Sequence, residues 1–161
     1  MKLALFLLKI LPEEVAHSIA LNGLKLLDKT GLLKFIVKDV KNNEIEFLGM
    51  KLKNNLGTAA GLDKNGDYID SVGKLGFGFL EVGTVTPLPQ SGNEKPRLFR
   101  VFNENAIINR MGFNNKGVDH LVKNLKNHKY KGIVGVNIGA NKTSEGEQRI
   151  EDYLVCFKKV Y

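Results

Sequence analysis

Three short segments of the chain combine residue types that suit the binding of a flat, polar ligand. They are residues 56–66 (LGTAAGLDKNG), 108–115 (INRMGFNN) and 135–142 (GVNIGANK). Each lies at or just after the end of a candidate strand, and each mixes glycines, which let backbone approach a ligand, with amides or a cation. In parallel α/β folds, ligands bind at that end of the strands. The segments therefore predict one pocket for a polar, anionic small molecule.

Two of these segments carry side chains with a specific chemical use. Lys64 follows a candidate strand, where a lysine can neutralise charge on a reduced ring or hold a carboxylate; the alternative is an ordinary surface lysine. Asn109 and Arg110 precede the MGFNN run, and an amide offers both a donor and an acceptor to an imide ligand. For Asn114 and Asn115 the alternative is turn formation and capping of the next helix.

Two further polar residues lie in or at the end of apolar strands. Asn137 interrupts the run IVGVNI, and a buried amide must find partners, either in the protein or on a ligand. Thr84 closes another strand and can offer its hydroxyl to the pocket, although threonine is common in strands. Both residues are therefore candidates for the same site.

Composition and motifs exclude several other kinds of site. Cys156 is the single cysteine, so no internal disulfide or cysteine-based metal site can form. No His/Asp/Glu cluster has metal-ligand spacing, and no phosphate-binding glycine motif is present. The net charge of +7 comes from scattered lysines and arginines rather than a basic stripe, which argues against nucleic-acid binding.

Strand and helix signals alternate through most of the chain. A hairpin is predicted from residues 44–47 and 50–53, followed by strands at 56–60, 77–82 and 133–138. Helices are predicted at 68–75, from Val118 onward, and near the end, where apolar residues recur at helical spacing. This order predicts an α/β fold with a parallel sheet buried on both faces.

A long connection interrupts this alternation. Residues 84–113 span 30 positions between a strand and a helix, and connections of this length are usually functional. Residues 97–102 and 105–108 can pair there as a hairpin over the pocket.

The N-terminal 41 residues are helical and differ from the rest. Residues 3–11 are apolar except for Lys9, and Pro12 opens a second helix with acids in its first turn. The excess apolar surface predicts docking onto the next domain or a hairpin lying on a membrane surface. No apolar run approaches the ~20 residues of a spanning helix.

Five ordered blocks of this sequence resemble dihydroorotate dehydrogenases, specifically the quinone-linked class 2 enzymes of pyrimidine synthesis. The blocks are AAGLDKNG (59–66), LGFGFLEVGTVTP (75–87), KPRLFR (95–100), NRMGFNN (109–115) and NIG (137–139). The N-terminal helices, with PEEVAH at 12–17, resemble the extension that separates class 2 from the soluble class 1 enzymes. The resemblance covers nearly the whole chain.

The resemblance implies the N-terminal part of a (β/α)₈ barrel with FMN at its C-terminal face, preceded by a helical extension over residues 1–41. Residues implied to contact FMN are Ala60, Gly61, Leu62, Asp63, Lys64, Thr84 and Asn137. Residues implied to bind dihydroorotate or orotate are Lys64, Asn109, Arg110, Met111, Gly112 and Phe113.

The implied reaction removes a proton from C5 of dihydroorotate and passes a hydride from C6 to N5 of FMN. Ubiquinone or menaquinone then reoxidises the flavin through a tunnel between the N-terminal helices. The implied location is the cytoplasmic face of the bacterial inner membrane, as a peripheral protein bound through residues 1–41.

The resemblance also implies that no catalytic base lies within this chain. The class 2 serine base and the phosphate site of the flavin are expected beyond Tyr161, so we expect residues 42–161 to be the first part of the barrel, with about three parallel strands. The alternatives are a non-catalytic relic of a split gene, a membrane-binding module, and a class 1 enzyme.

Overall fold

The computed structural model describes the backbone of residues 2–38, 40 and 43–161, with side chains from residue 6 onward. The chain forms two compact units. One contains residues 1–36 and 93–111, and the other contains residues 37–92 and 112–161. Residues 84–92 of the long connection thus belong to the second unit, whereas the hairpin of this connection belongs to the unit with the N-terminal helices.

Five helices, six strands and short 3₁₀ turns make up the described part of the chain. The helices are α1 (Lys2–Ile10), α2 (Glu13–Lys29), α3 (Ile69–Gly73), α4 (Val118–Asn127) and α5 (Glu147–Val160). The strands are β1 (Ile45–Phe47), β2 (Met50–Leu52), β3 (Phe79–Val85), β4 (Leu98–Val101), β5 (Ala106–Asn109) and β6 (Ile133–Ile138).

The unit with the N-terminal helices consists of α1, α2, a 3₁₀ turn and the antiparallel hairpin of β4 and β5. This confirms the predicted pairing within the long connection, and Asn105 makes the turn with a left-handed φ of 49°. Ala16, Leu21 and Leu33 are buried in this unit. Among the described residues, no helix is both long and apolar enough to cross a bilayer.

The other unit is built around parallel pairing of β3 with β6. The sequence predicts this pairing because both strands are apolar and are separated by a helix. The most deeply buried residues of this unit include Leu80, Val82 and Val85 of β3, Leu121 of α4 and Cys156 of α5, and each is at most 2% exposed. Burial of an aliphatic side chain contributes about 1.5–3 kcal/mol, so these residues help to stabilise the unit.

Two predictions about the sheet are only partly right. Residues 56–60 form one parallel bridge, from Gly57 to Phe79, rather than a strand. The reason is that the hydroxyl of Thr58 accepts the amide hydrogen of Glu81, so a side chain replaces the next backbone bond. In addition, β6 is half-buried rather than fully buried, since among the described residues it pairs with β3 alone.

The predicted capping of α4 by Asn114 or Asn115 is wrong. The N-cap residue is Gly117, with a φ of 83° and no side-chain cap. The amide of Asn115 instead faces the protein interior, where its Oδ1 accepts from the backbone N–H groups of Thr86 and Gly117. A long-range contact with Thr86 and a local turn contact with Gly117 therefore replace the helix cap.

Candidate functional site

A chain of hydrogen bonds links polar side chains of β3 and β6. The hydroxyl of Thr84 donates to Oδ1 of Asn137 over 2.6 Å, and Nδ2 of Asn137 donates to Oε1 of Glu81 over 3.0 Å. These partners determine which way the Asn137 amide faces. No role for Glu81 is predicted from the sequence, although a carboxylate inside an apolar strand is a signal that identifies a candidate site residue.

An irregularity in β3 places Thr84 at this point. Gly83 pairs with Asn137 and Val85 pairs with Ile138, so Thr84 is the extra residue of a bulge. Bulges redirect a side chain relative to regular pairing. Gly83 has a φ of +109°, and a Cβ on it would lie 2.3 Å from the backbone oxygen of Asn137, so glycine is required for this close approach.

The segment containing Lys64 is attached directly to this end of β3. The amide of Gly61 donates to the carbonyl of Gly83 over 2.7 Å, and the amide of Gly83 donates to the carbonyl of Asp63 over 3.1 Å. Lys64 curls back so that its Nζ donates to the carbonyl of Gly61 over 2.9 Å. The structure therefore brings together Gly61, Asp63 and Lys64 with β3, as the sequence analysis expected.

Gly61 leaves open space beside this segment. Its φ is +104°, and no heavy atom lies within 4 Å of the position that a Cβ would occupy. Next to it, Ala60 is half-buried and Leu62 is 38% exposed. A surface of exposed backbone and small side chains of this kind can accept a planar ring.

The carboxylate of Asp63 is used within the protein. Its two oxygens accept the backbone N–H groups of Asp67 and Tyr68, at 2.9 and 2.8 Å, and the residue is 5% exposed. Burial raises the pKa of Asp63 above its ordinary value, and the two backbone hydrogen bonds oppose that rise. The side chain thus shapes the turn that leads into α3.

A second group of contacts attaches the Lys64 segment to α4. Asp67 accepts from Nζ of Lys116, Nδ2 of Asn124 and the ring of His120, at 2.9, 3.0 and 2.7 Å. Burial alone would raise the pKa of Asp67, but the hydrogen bonds from His120 and Lys116 lower it below its ordinary value. This cluster is not predictable from local sequence patterns, because Asp67 is about 50 residues from its partners in the chain.

The predicted substrate residues are divided between the two units. Asn109, Arg110 and Met111 belong to the unit that contains the N-terminal helices and the β4–β5 hairpin, called here the hairpin unit. Gly112 and Phe113 belong to the unit built around β3 and β6, called here the sheet unit. Asn109 pairs with Leu98 at the end of β5. Arg110 donates its backbone N–H to Arg97 and its guanidinium to the carbonyl of Pro96.

Gly112 and Phe113 have left-handed backbone conformations, with φ values of 71° and 52°. Both of their carbonyls accept hydrogen bonds from Nε2 of Gln90, each over 3.2 Å. The Phe113 carbonyl also accepts from Nδ2 of Asn115 over 2.8 Å. Phe113 as a whole residue is 59% exposed.

Within the hairpin unit, two arginines bind the N-terminal helices: Arg97, which precedes β4, and Arg100, which lies in β4. The guanidinium of Arg97 pairs with the Glu14 carboxylate of α2, and its side chain is 7% exposed. Arg100 donates to the carbonyls of Leu8, Lys9 and Leu11 at the end of α1, over 2.8–3.2 Å. No role for either arginine is predicted from the sequence.

These features define an α/β protein with a polar candidate site at the carboxyl end of β3 and β6. The sequence model described as "Dihydroorotate dehydrogenase" matches residues 43–161. The chain belongs to the dihydroorotate dehydrogenase family.

Relatives and solved structures agree with this assignment. The chain is 53% identical over 155 residues to "Dihydroorotate dehydrogenase (quinone)" of Buchnera aphidicola subsp. Schizaphis graminum, covering 96% of this chain and 46% of that protein. It is 54% identical over 151 residues to the protein of the same name from Aliivibrio fischeri, covering 94% of this chain and 45% of that protein. The chain thus spans about half the length of the curated relatives it matches.

Two crystal structures of DHODH from Eimeria tenella share the fold. The ligand-free structure matches with a TM-score of 0.76 and 34% identity, covering 92% of this chain and 42% of that chain. The complex with ferulenol matches with a TM-score of 0.68 and 36% identity, covering 85% of this chain and 38% of that chain. These matches confirm the predicted α/β class.

Proposed function

We propose that this chain supplies flavin- and substrate-binding residues of a quinone-dependent dihydroorotate dehydrogenase. The enzyme oxidises (S)-dihydroorotate to orotate in pyrimidine biosynthesis and passes the electrons to a quinone. One observation carries the proposal: residues from three separate segments, Gly61 with Gly83 and Thr84 with Asn137, meet at the carboxyl end of β3. The names of the curated relatives support the choice of substrate and acceptor.

The residues present fit the FMN that the family implies. Open space beside Gly61 leaves room for a planar ring, and the Thr84–Asn137 pair offers polar groups of defined orientation. We assign FMN contacts to Ala60, Gly61, Leu62, Asp63, Lys64, Thr84 and Asn137. FMN, when bound, accepts the hydride from C6 of dihydroorotate.

We assign substrate binding to Lys64 and to residues 109–113. The ammonium of Lys64 matches the carboxylate of dihydroorotate, since a charge-assisted hydrogen bond is the strongest that a lysine can make. The amide of Asn109 can donate to and accept from the imide edge of the ring. The roles proposed here are binding and orientation, and none of these residues is assigned as the base that removes the C5 proton.

We also propose that residues 1–41 form a helical extension that lies on the membrane and admits ubiquinone or menaquinone. Several large apolar side chains of this segment are 45–77% exposed: Phe6, Leu7, Ile10, Val15, Ile19, Leu26 and Phe35. A surface of this kind partitions into the interface between headgroups and acyl chains. We further propose that residues 42–161 form the first part of a (β/α)₈ barrel. The proposed location is the bacterial inner membrane, to which the protein binds peripherally.

The test of the enzymatic proposal uses the longest natural chain that contains these residues. Dihydroorotate is added without oxygen while the visible absorbance of the flavin is recorded, and a quinone is added afterwards. We expect the absorbance to bleach and then to recover. Recovery with fumarate or NAD⁺ instead of quinone would indicate a class 1 enzyme, and absence of flavin from the folded protein would indicate the non-catalytic alternative.

A pair of lysine variants tests the assigned substrate contact. Lys64→Gln should raise KM for dihydroorotate by roughly 10–100-fold, the effect of losing a charged hydrogen bond of about 1.5–3 kcal/mol. Lys158→Gln makes the same change on the exposed face of α5 and should leave KM as in the wild type. Equal KM values for both variants would refute the role of Lys64.

The membrane proposal is tested by cosedimentation with vesicles of neutral or anionic lipid. Leu26→Glu should reduce binding to both kinds of vesicle, because it places a charge on the exposed apolar face of α2. Ile150→Glu, on the exposed face of α5, is the matched control. If both variants bound like the wild type, residues 1–41 would not be the membrane-binding segment.

A further inference from the structure

Gln90 is not among the residues assigned to binding, but its backbone and side chain make hydrogen bonds to distant segments of the chain. Its backbone exchanges two hydrogen bonds with Asn115, each of 3.0 Å, in an isolated antiparallel bridge. Its side chain lies between the loop after β6 and the segment before α4. Gln90 therefore contacts two segments that are distant from it in the chain, at Gly112 and at Asn141, 22 and 51 positions away.

All four hydrogen-bonding positions of the Gln90 side-chain amide are occupied. Nε2 donates to the carbonyls of Gly112 and Phe113, each over 3.2 Å. Oε1 accepts from Nδ2 of Asn141 over 3.1 Å and from the backbone N–H of Lys142 over 3.0 Å. A side-chain amide has two donor hydrogens and two acceptor lone pairs, so this arrangement uses its whole capacity.

The orientation of the Gln90 amide is determined on the Asn141 side. The backbone N–H of Lys142 can only donate, so it requires the oxygen of Gln90 to face it. Asn141 is 6% exposed and its own amide is held, with Nδ2 donating to the Leu88 carbonyl over 2.9 Å and Oδ1 accepting from the Leu88 N–H over 3.0 Å. Reversal of the Gln90 amide would place its oxygen against two carbonyl oxygens.

The segment that Gln90 contacts needs such support. Phe113 is a non-glycine residue with a φ of 52°, a conformation that persists only where its surroundings stabilise it. Its carbonyl receives hydrogen bonds from Gln90 and from Asn115, whose amide also donates to Thr86, a fully buried residue. These bonds therefore help to define the backbone at Gly112 and Phe113.

We infer that Gln90 is a positioning residue for substrate binding. It orients the backbone of Gly112 and Phe113, and Asn141 orients Gln90; neither residue needs to touch the substrate. The inference rests on the proposed function, in which Gly112 and Phe113 contact dihydroorotate.

The test compares Gln90→Glu with the wild type as flavin-loaded enzymes from the longest natural chain. The substitution keeps the shape and the acceptors for Asn141 and Lys142, but it turns the two donors toward Gly112 and Phe113 into an acceptor. We expect KM for dihydroorotate to rise at least about tenfold, with flavin content and flavin affinity unchanged. Gln148→Glu, on the exposed face of α5, is the matched control.

The pH profile distinguishes positioning from a general structural role. As pH falls from about 8 to below about 4, the introduced carboxyl becomes protonated and can donate to one carbonyl again. KM of the Gln90→Glu enzyme should therefore approach that of the wild type at low pH. Gln90→Met, which removes the hydrogen bonds without adding a charge, should also raise KM but show no such recovery.

If wild-type flavin bleaches with dihydroorotate but neither Gln90 variant changes KM, the inference is overturned and the proposed function stands. If flavin content falls as KM rises, Gln90 has a general structural role, and the inference is again overturned. If the wild-type flavin does not bleach, the proposed function itself fails.

Discussion

The hydroxyl of Thr84 donates a 2.6 Å hydrogen bond to Oδ1 of Asn137, joining the carboxyl ends of two parallel strands. Because Glu81 accepts from the other side of the same amide, the orientation of Asn137 is determined before any ligand binds. Preorganised polar groups reduce the cost of binding, since they need not be ordered by the ligand. Substitutions and labelling test this hydrogen bond, the contacts of Arg100 and Glu14, and the burial of Cys156.

Removal of the Thr84 hydroxyl should weaken flavin binding. Thr84→Val keeps the shape of the side chain but leaves Oδ1 of Asn137 without its donor. We expect flavin affinity to fall by up to about tenfold, corresponding to a neutral hydrogen bond of about 0.5–1.5 kcal/mol. Flavin fluorescence titration measures the effect, and Thr143→Val, at an exposed turn, is the control. Equal affinity in both variants would contradict the prediction.

Arg100 should control the order of the end of α1. Arg100→Ala leaves the carbonyls of Leu8, Lys9 and Leu11 without their guanidinium donors. We expect trypsin to cleave after Lys9 roughly tenfold faster or more, since each hydrogen bond to a charged group contributes about 1.5–3 kcal/mol. Timed proteolysis followed by mass spectrometry gives the rate. Arg149→Ala on α5 should leave this site unchanged, and unchanged cleavage in both variants would show that Arg100 does not hold α1.

Glu14 should make the stability of the hairpin unit depend on pH. The hydrogen bond from Arg97 lowers the pKa of Glu14 below its ordinary value of 4.5, although burial opposes this. A carboxylate with a lowered pKa in the folded state contributes stability above 4.5, and this contribution is lost as pH falls through the lowered pKa. Glu14→Gln should therefore lower Tm at neutral pH, and the difference in Tm between the variant and the wild type should decrease as pH falls.

Thermal melts of wild type and Glu14→Gln between about pH 7 and pH 3 provide this measurement. Glu151→Gln, on an exposed position of α5, controls for the loss of one negative charge. A Tm difference that stays constant across the range would show that the ionisation of Glu14 is not coupled to folding.

Cys156 should be unreactive in the folded protein. The side chain is fully buried, and burial, together with the nearby charges of Asp152 and Asp119, raises the pKa of its thiol to about 11. Because the thiolate is the reactive form, a thiol reagent at about pH 8 should modify the folded chain far more slowly than the denatured chain. Immediate stoichiometric labelling of the folded protein would contradict the burial of Cys156 beside the Val85 carbonyl.

Much of the fold was predictable because its signals are local. The apolar repeat of α2 and the apolar run of β6 each lie within one stretch of sequence. The hairpin of β4 and β5 was predictable for the same reason. Residues 56–60 were predicted as a strand, but they form only the bridge at Gly57. The hydroxyl of Thr58 replaces a backbone bond only when folding brings Glu81 beside it, and local sequence does not show this contact.

The same distinction applies to the site. The segments that contain Lys64, Asn109 and Asn137 were identified from glycines and amides next to one another in sequence. The roles of Gln90 and Asn141 were not identified, and Asn115 was taken as a helix cap. Each of these amides has partners in a different segment, such as Asn141 with Leu88, 53 positions away.

By itself, the sequence determined the family, the order of most elements and the segments that form the candidate site, because short-range patterns carry that information. Only the tertiary structure decided how the amides face and what each one contacts. Thr84 illustrates the reason: its partner Asn137 is 53 positions away, and the two meet only because β3 pairs with β6 around a bulge. A side chain of fixed chemistry thus receives its role from neighbours that folding supplies.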